Sequence, residues 1–72
     1  MTIEAVSVIL EKVWEMKSQA FIFTDKMFII SPDIYDWKIH GDLKILCIFE
    51  KESKTETYLD TDSINKIVIK DE

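Results

Sequence analysis

The first sixteen residues place apolar side chains at a helical spacing. The apolar stripe consists of Ile3, Val6, Leu10, Val13 and Trp14, three or four positions apart as one face of an α-helix requires. Thr2 can cap the first turn, and three glutamates (Glu4, Glu11 and Glu15) fall on the opposite face. The pattern predicts one helix of about fourteen residues. Val8 lies among the glutamates, either as a surface residue or as a contact with a partner chain.

After Ser18 the hydrophobic period changes from helical to alternating. β-Branched and aromatic residues then recur in short runs between turn residues, which is typical of strands. The expected strands cover residues 21–23, 27–31, 35–40, 43–51, 55–59 and 64–69. Pro32 ends the second strand because it has no N–H for a ladder, and Gly41-Asp42 turns the chain after the third.

The short connections between these strands allow only antiparallel pairing. We therefore expect a single α+β domain over residues 1–72, with the N-terminal helix packed on a curled antiparallel meander of five to six strands. Such a sheet would form a small roll or a partly open barrel. The run 43–51 is apolar on both faces, which predicts a central strand covered on both sides. The polar run TETYL predicts an edge strand.

Composition narrows the functional classes. The chain contains fourteen acidic residues and nine basic ones, so its net charge is −5, and every basic residue is lysine. Without arginine or a basic stripe, we expect no direct binding to nucleic acid. The apolar runs are too short for a membrane span, the N-terminus lacks the features of a signal peptide, and Cys47 is alone. These features predict a cytoplasmic protein, and the bias toward lysine and isoleucine is typical of an AT-rich phage or bacterial genome.

No motif predicts an enzyme, a metal site or a cofactor. The stretch DTDS at 60–63 begins like a calcium loop, but Asn65 stands where the loop needs glycine and Asp71 where it needs glutamate. The expected structure is therefore a turn bonded to its own backbone. His40 and Cys47 are the only candidate base and nucleophile, and we expect Cys47 to be buried and the two side chains to be apart.

The stretch PDIYDWKIHG, residues 32–41, combines aromatic residues with acids. One interpretation places Tyr35, Trp37 and Phe49 in the core, packed against the helix through Trp14. The other makes the stretch a docking edge for a protein with a basic surface. The candidate partner-binding residues are Asp33, Tyr35, Asp36, Trp37, His40 and Asp42. The acidic face of the helix is the competing candidate.

Two fragments resemble known families. FIFTDKMFII and LDTDSINKIVI are similar to the strand–turn–strand and the closing strand of bacterial pleckstrin-homology-like domains. A helix before a strand meander resembles Sm-like barrels, although the glycine and asparagine positions of the Sm motifs are missing. Neither resemblance carries a functional residue to this chain.

Two functions from different classes follow. The first is a small, acidic, non-catalytic protein-binding module, such as an inhibitor, an immunity protein or a counter-defence protein, that blocks a target's surface, including one that binds nucleic acid. The alternative is a homo-oligomeric small-ligand-binding protein, built on an Sm-like or related barrel, with pockets at its subunit boundaries.

Overall fold

The computed structural model describes residues 1–71 and begins with the predicted helix. Helix α1 spans Ile3–Met16, and the Thr2 hydroxyl caps it by accepting a hydrogen bond from the Ala5 amide at 3.1 Å. The helix ends at Lys17, whose backbone adopts the left-handed conformation with φ of 54°. Within the described residues, no helix is long and apolar enough to cross a membrane.

Six antiparallel strands form two separate three-stranded sheets. The strands are β1 (Gln19–Phe23), β2 (Met27–Ile30), β3 (Tyr35–His40), β4 (Ile45–Glu50), β5 (Thr55–Asp60) and β6 (Lys66–Lys70). Sheet A has the order β2-β1-β6, and sheet B has the order β3-β4-β5. Short 3₁₀ turns at Gly41–Leu43 and Thr61–Ser63 connect β3 to β4 and β5 to β6.

One hydrophobic core lies between the inner faces of the two sheets and the helix. The helix contributes Val6, Leu10 and Val13, sheet A contributes Ala20, Ile22 and Ile30, and sheet B contributes Leu46 and Ile48, with Ile64 joining them from the last connection. Because both sheets turn one face toward this cluster, their other faces point away from it. We call these two outward surfaces face A and face B.

The α+β class, the N-terminal helix and the antiparallel pairing are confirmed, whereas the single curled sheet is wrong. The expected roll or partly open barrel does not form, because the chain divides into two sheets that are neither closed nor curled. The last strand returns to pair with β1, so sheet A is not a simple meander. Sheet A therefore joins strands from both ends of the chain, while sheet B is built from consecutive strands.

Strand β4 has the predicted central position but differs from the prediction in its coverage and in where it begins. It is the central strand of sheet B, as predicted, but only its inner face is covered by the core. Leu43, expected in this strand, lies in the preceding 3₁₀ turn and is exposed. The polar run Thr55–Asp60 forms an edge strand, as expected.

Candidate functional site

The alternation of β3 separates the aromatic residues of the candidate site from its acids. Tyr35 and Trp37 lie on the inner face and pack against the core. The Trp37 ring meets Trp14 of the helix edge to face, with ring centroids 6.3 Å apart. This geometry matches the core interpretation of the two aromatic residues.

Asp36 and His40 lie on the opposite side of β3, on face B. The register places Asp36 beside Phe49 and His40 beside Ile45, so Phe49 points outward and not toward the core as the core interpretation required. On β5, Tyr58 also projects to face B, and it is 55% exposed. Face B consists of Asp36, Lys38, His40, Ile45, Cys47, Phe49, Glu56, Tyr58 and Asp60.

The center of face B is apolar and aromatic. The His40 and Tyr58 rings stack with centroids 6.5 Å apart and an interplanar angle of 28°. Ile45 and Phe49 are half-buried, yet neither packs against the core cluster. Among the residues that the structure describes, the apolar part of face B therefore lies outside the hydrophobic core.

Carboxylates surround this apolar center. The strands of face B carry three acids (Asp36, Glu56 and Asp60) and one lysine, Lys38. The Tyr58 hydroxyl donates to Glu56 at 3.0 Å, and that carboxylate raises the pKa of Tyr58. At the edge, the Lys51 ammonium lies 3.7 Å from Asp36, a contact between two exposed groups that is worth little. The electrostatic character of face B is acidic.

The remaining candidate acids lie in flanking turns. Asp33 follows Pro32 in the β2–β3 turn, and Asp42 lies in the 3₁₀ turn after β3; both are exposed. The six predicted site residues thus occupy three places: the core, face B and the two turns. The acidic helix face is a fourth surface, with Val8 64% exposed among its glutamates.

The positions of Phe49 and Tyr58 carry a signal that sequence reasoning did not use. The run KILCIF is apolar at consecutive positions, so one of its two faces had to point away from a core of this size. The tyrosine of TETYL falls on that same side once the register is set. Face B could have been anticipated from these two runs read together.

The candidate base and nucleophile, His40 and Cys47, both lie on face B. Cys47 is 8% exposed and lies beside Tyr58, and His40 shares the face with it. Residues 36, 38 and 40 project to the same side of sheet B as residues 45 and 47. His40 and Cys47 each align with a different partner in the register, and no hydrogen bond joins them in the described part of the chain.

The DTDS segment is the predicted turn. The Asp60 carboxylate accepts a hydrogen bond from the Asp62 amide at 3.0 Å, and the Ser63 hydroxyl donates to the Asp60 carbonyl at 2.6 Å. Over residues 1–71, no cluster of three or more histidine, cysteine, aspartate and glutamate side chains could hold a metal.

A cleft of about 320 Å³ opens between β2 and the inner face of sheet B. All four residues of β2 line it, which shows that it runs along the unpaired edge of that strand. Tyr35 and Glu50 lie on the opposite wall, and burial, with the nearby Glu50 carboxylate, raises the pKa of Tyr35.

The comparisons with known proteins give no family assignment: no family model, no curated protein and no solved structure matches this chain.

Proposed function

We propose that this protein is a small, non-catalytic protein-binding module that uses face B to cover the surface of another protein. The observation that carries the proposal is an apolar, aromatic sheet face that lies outside the described core, with Tyr58 exposed, Ile45 and Phe49 half-buried, and carboxylates around them. Exposed apolar patches with a polar rim mark interaction sites, and aromatic residues dominate the energy of such contacts.

The charge of face B favours a partner with a basic surface. Three carboxylates around an apolar center attract lysine and arginine side chains and speed the encounter with a basic partner. The same carboxylates repel phosphate, which argues against nucleic acid as the direct ligand. A basic surface that itself binds nucleic acid would be blocked by such a contact, so inhibition by steric and electrostatic cover is the mechanism we propose.

The proposal changes the residues assigned to the site. Asp36 and His40 remain in it, and Phe49, Glu56 and Tyr58 join them. Tyr35 and Trp37 support the sheet from the core side, where Trp37 contacts Trp14. Asp33 and Asp42 lie in turns outside the strands of face B and leave the assigned site.

Affinity capture with two charge-matched variants tests the proposal. Asp36→Lys/Glu56→Lys reverses two charges on either side of Phe49 on face B. Glu11→Lys/Glu15→Lys makes the same change on the helix face. A target captured by the wild type and the helix variant, and lost with the face B variant, supports the proposal. Loss with the helix variant alone would move the site to α1, and equal capture by all three proteins would refute the proposed role of face B.

The alternative function, a homo-oligomeric ligand-binding protein, is favoured by one observation. The cleft beside β2 reaches the lower end of the volume range of small-ligand pockets and combines apolar β2 side chains with Tyr35 and Glu50. Native mass spectrometry of the purified protein distinguishes the two functions. A retained small molecule that is lost in Glu50→Gln would favour the ligand-binding function.

A further inference from the structure

Face A is a second outward surface that residues 1–71 leave partly exposed, and its charge is opposite to that of face B. It consists of Gln19, Phe21, Phe23, Met27, Ile29, Lys66, Val68 and Lys70. Met27, Ile29 and Val68 are 48%, 44% and 41% exposed. Its apolar residues occupy all three strands of sheet A, so this is a continuous patch and not a set of isolated side chains.

The only charged residues on the strands of face A are two lysines. The Lys66 ammonium lies 4.7 Å from the centroid of the Phe23 ring, close enough for a cation–π contact. Lys70 lies on the same strand, beside Gln19 of β1. A basic apolar surface is therefore present on a protein whose net charge is −5.

We propose that the occupant of face A is face B of a second copy of this chain. Both faces are three-stranded antiparallel sheets with apolar centers, and such sheets stack about 10 Å apart. Stacking would bring Phe21 and Phe23 of one copy against Phe49 and Tyr58 of the next, with lysines opposite carboxylates. The proposal rests on the proposed function in one respect, that face B is a docking surface.

Charge excludes the two symmetric alternatives. Two copies of face A in contact would gather four lysines around one apolar center, and two copies of face B would gather six carboxylates. Like charges brought together at an interface cost several kcal/mol. Contact between unlike faces is head to tail, so each added copy leaves one free face at either end. The assembly then grows as an open filament unless the rotation between copies closes it into a ring.

The contact is small, which sets its expected strength. Three strands about 4.8 Å apart and five residues of about 3.3 Å give a footprint of roughly 15 by 17 Å. This is well below the roughly 800 Å² that each partner buries in a standard interface. We therefore expect weak, concentration-dependent association that a single charged substitution abolishes.

Two variants, one for each face, test the proposal by sedimentation velocity over a wide concentration range. Ile29→Glu places an acid on face A against the carboxylates of face B. Tyr58→Lys places a base on face B against the lysines of face A. The wild type should associate beyond the dimer at high concentration and dissociate with added salt, whereas each variant alone should remain monomeric with an unchanged circular dichroism spectrum.

Mixing the two variants gives the decisive result. Ile29→Glu retains an intact face B and Tyr58→Lys retains an intact face A, so an equimolar mixture should form heterodimers through these two intact faces. Val8→Glu and Val8→Lys, on the exposed helix face, are the controls and should associate like the wild type. A monomeric wild type, a wild type that stops at the dimer, or a mixture that stays monomeric would overturn the proposal.

The same variants separate failure of this inference from failure of the proposed function. Ile29→Glu should still capture the target through face B, whereas Tyr58→Lys should lose both target capture and self-association. Target capture by a strictly monomeric wild type would overturn self-association and leave the proposed function standing. If the protein self-associates through face B but captures no target through that face, the proposed function would be overturned and self-association would stand.

Discussion

Thr61→Val is expected to stabilise the protein, because this threonine buries a hydroxyl group that has no hydrogen-bond partner among residues 1–71. Its side chain is fully buried at the start of the second 3₁₀ turn, and its Oγ1 atom makes no hydrogen bond within the described part of the chain. The backbone bonds of Thr61 do not depend on that oxygen. Its amide donates to the Lys44 carbonyl at 2.9 Å, and its carbonyl accepts from the Ile64 amide at 3.2 Å.

The magnitude follows from the cost of the orphaned hydroxyl. A buried polar group without a partner costs about 1–3 kcal/mol. Valine has the same branching as threonine and nearly the same volume, so it replaces the hydroxyl with a methyl group without opening a cavity. We expect the free energy of unfolding to rise by about 1–2 kcal/mol. For a domain of this size, each kcal/mol raises Tm by about 4–8 °C.

Chemical and thermal denaturation followed by circular dichroism measure this change. Thr55→Val is the matched control, because Thr55 is exposed and accepts a hydrogen bond from the Ser53 hydroxyl at 2.8 Å. Its effect should stay within about 0.5 kcal/mol. If Thr61→Val were as stable as the wild type or less stable, the Thr61 hydroxyl would have a partner in solution and the reasoning would be refuted.

Three further predictions concern the core, pH and a helix end. Trp37→Ala should cost about 3–5 kcal/mol and unfold much of the population, whereas Tyr58→Ala on face B should keep the circular dichroism spectrum and melting temperature near those of the wild type. The raised pKa of Tyr35 means that the folded state holds this proton more tightly than the unfolded state. Its stabilising contribution is complete below the ordinary tyrosine pKa and is lost as the pH rises through the folded pKa. In an alkaline titration, the free energy of unfolding should therefore fall less steeply with pH in Tyr35→Phe than in the wild type. Lys17→Gly removes the strain of a left-handed lysine at the end of α1 and should add about 0.5–1 kcal/mol to the free energy of unfolding. As the control, Lys12→Gly inside the helix should subtract about 1 kcal/mol. An equal loss of stability in both variants would show that the left-handed position carries no strain.

Local patterns were sufficient to predict most of the secondary structure. The helix bounds Ile3–Met16 and the Thr2 cap follow from spacing and capping chemistry, both of which act within a few residues. The apolar–polar alternation of YDWKIH indicates that Trp37 points inward and Asp36 outward, and the register agrees. Pro32 and Gly41 mark the turns after β2 and β3, as expected.

The division into two sheets was not accessible from the same patterns. It depends on β6 pairing with β1 across most of the chain, and alternation within a strand does not identify its partner. The candidate site was affected in the same way. The candidate site combined Tyr35, Asp36 and Trp37 although alternation places them on opposite faces of β3. Tyr58 reaches face B through register alone.

The pairing of β6 with β1 also has a consequence for how the chain reaches its native state. Sheet B can assemble from contiguous residues 35–60, whereas residues 19–30 alone can form only a two-stranded hairpin, which is marginally stable in water. Closing the long loop between β1 and β6 has an entropic cost that local pairing avoids. We expect sheet B to form early and the docking of β6 to limit the folding rate. During synthesis, sheet A then lacks its third strand until Lys70 has left the ribosome. In this interval the apolar β1–β2 hairpin leaves the chain most exposed to aggregation and proteolysis.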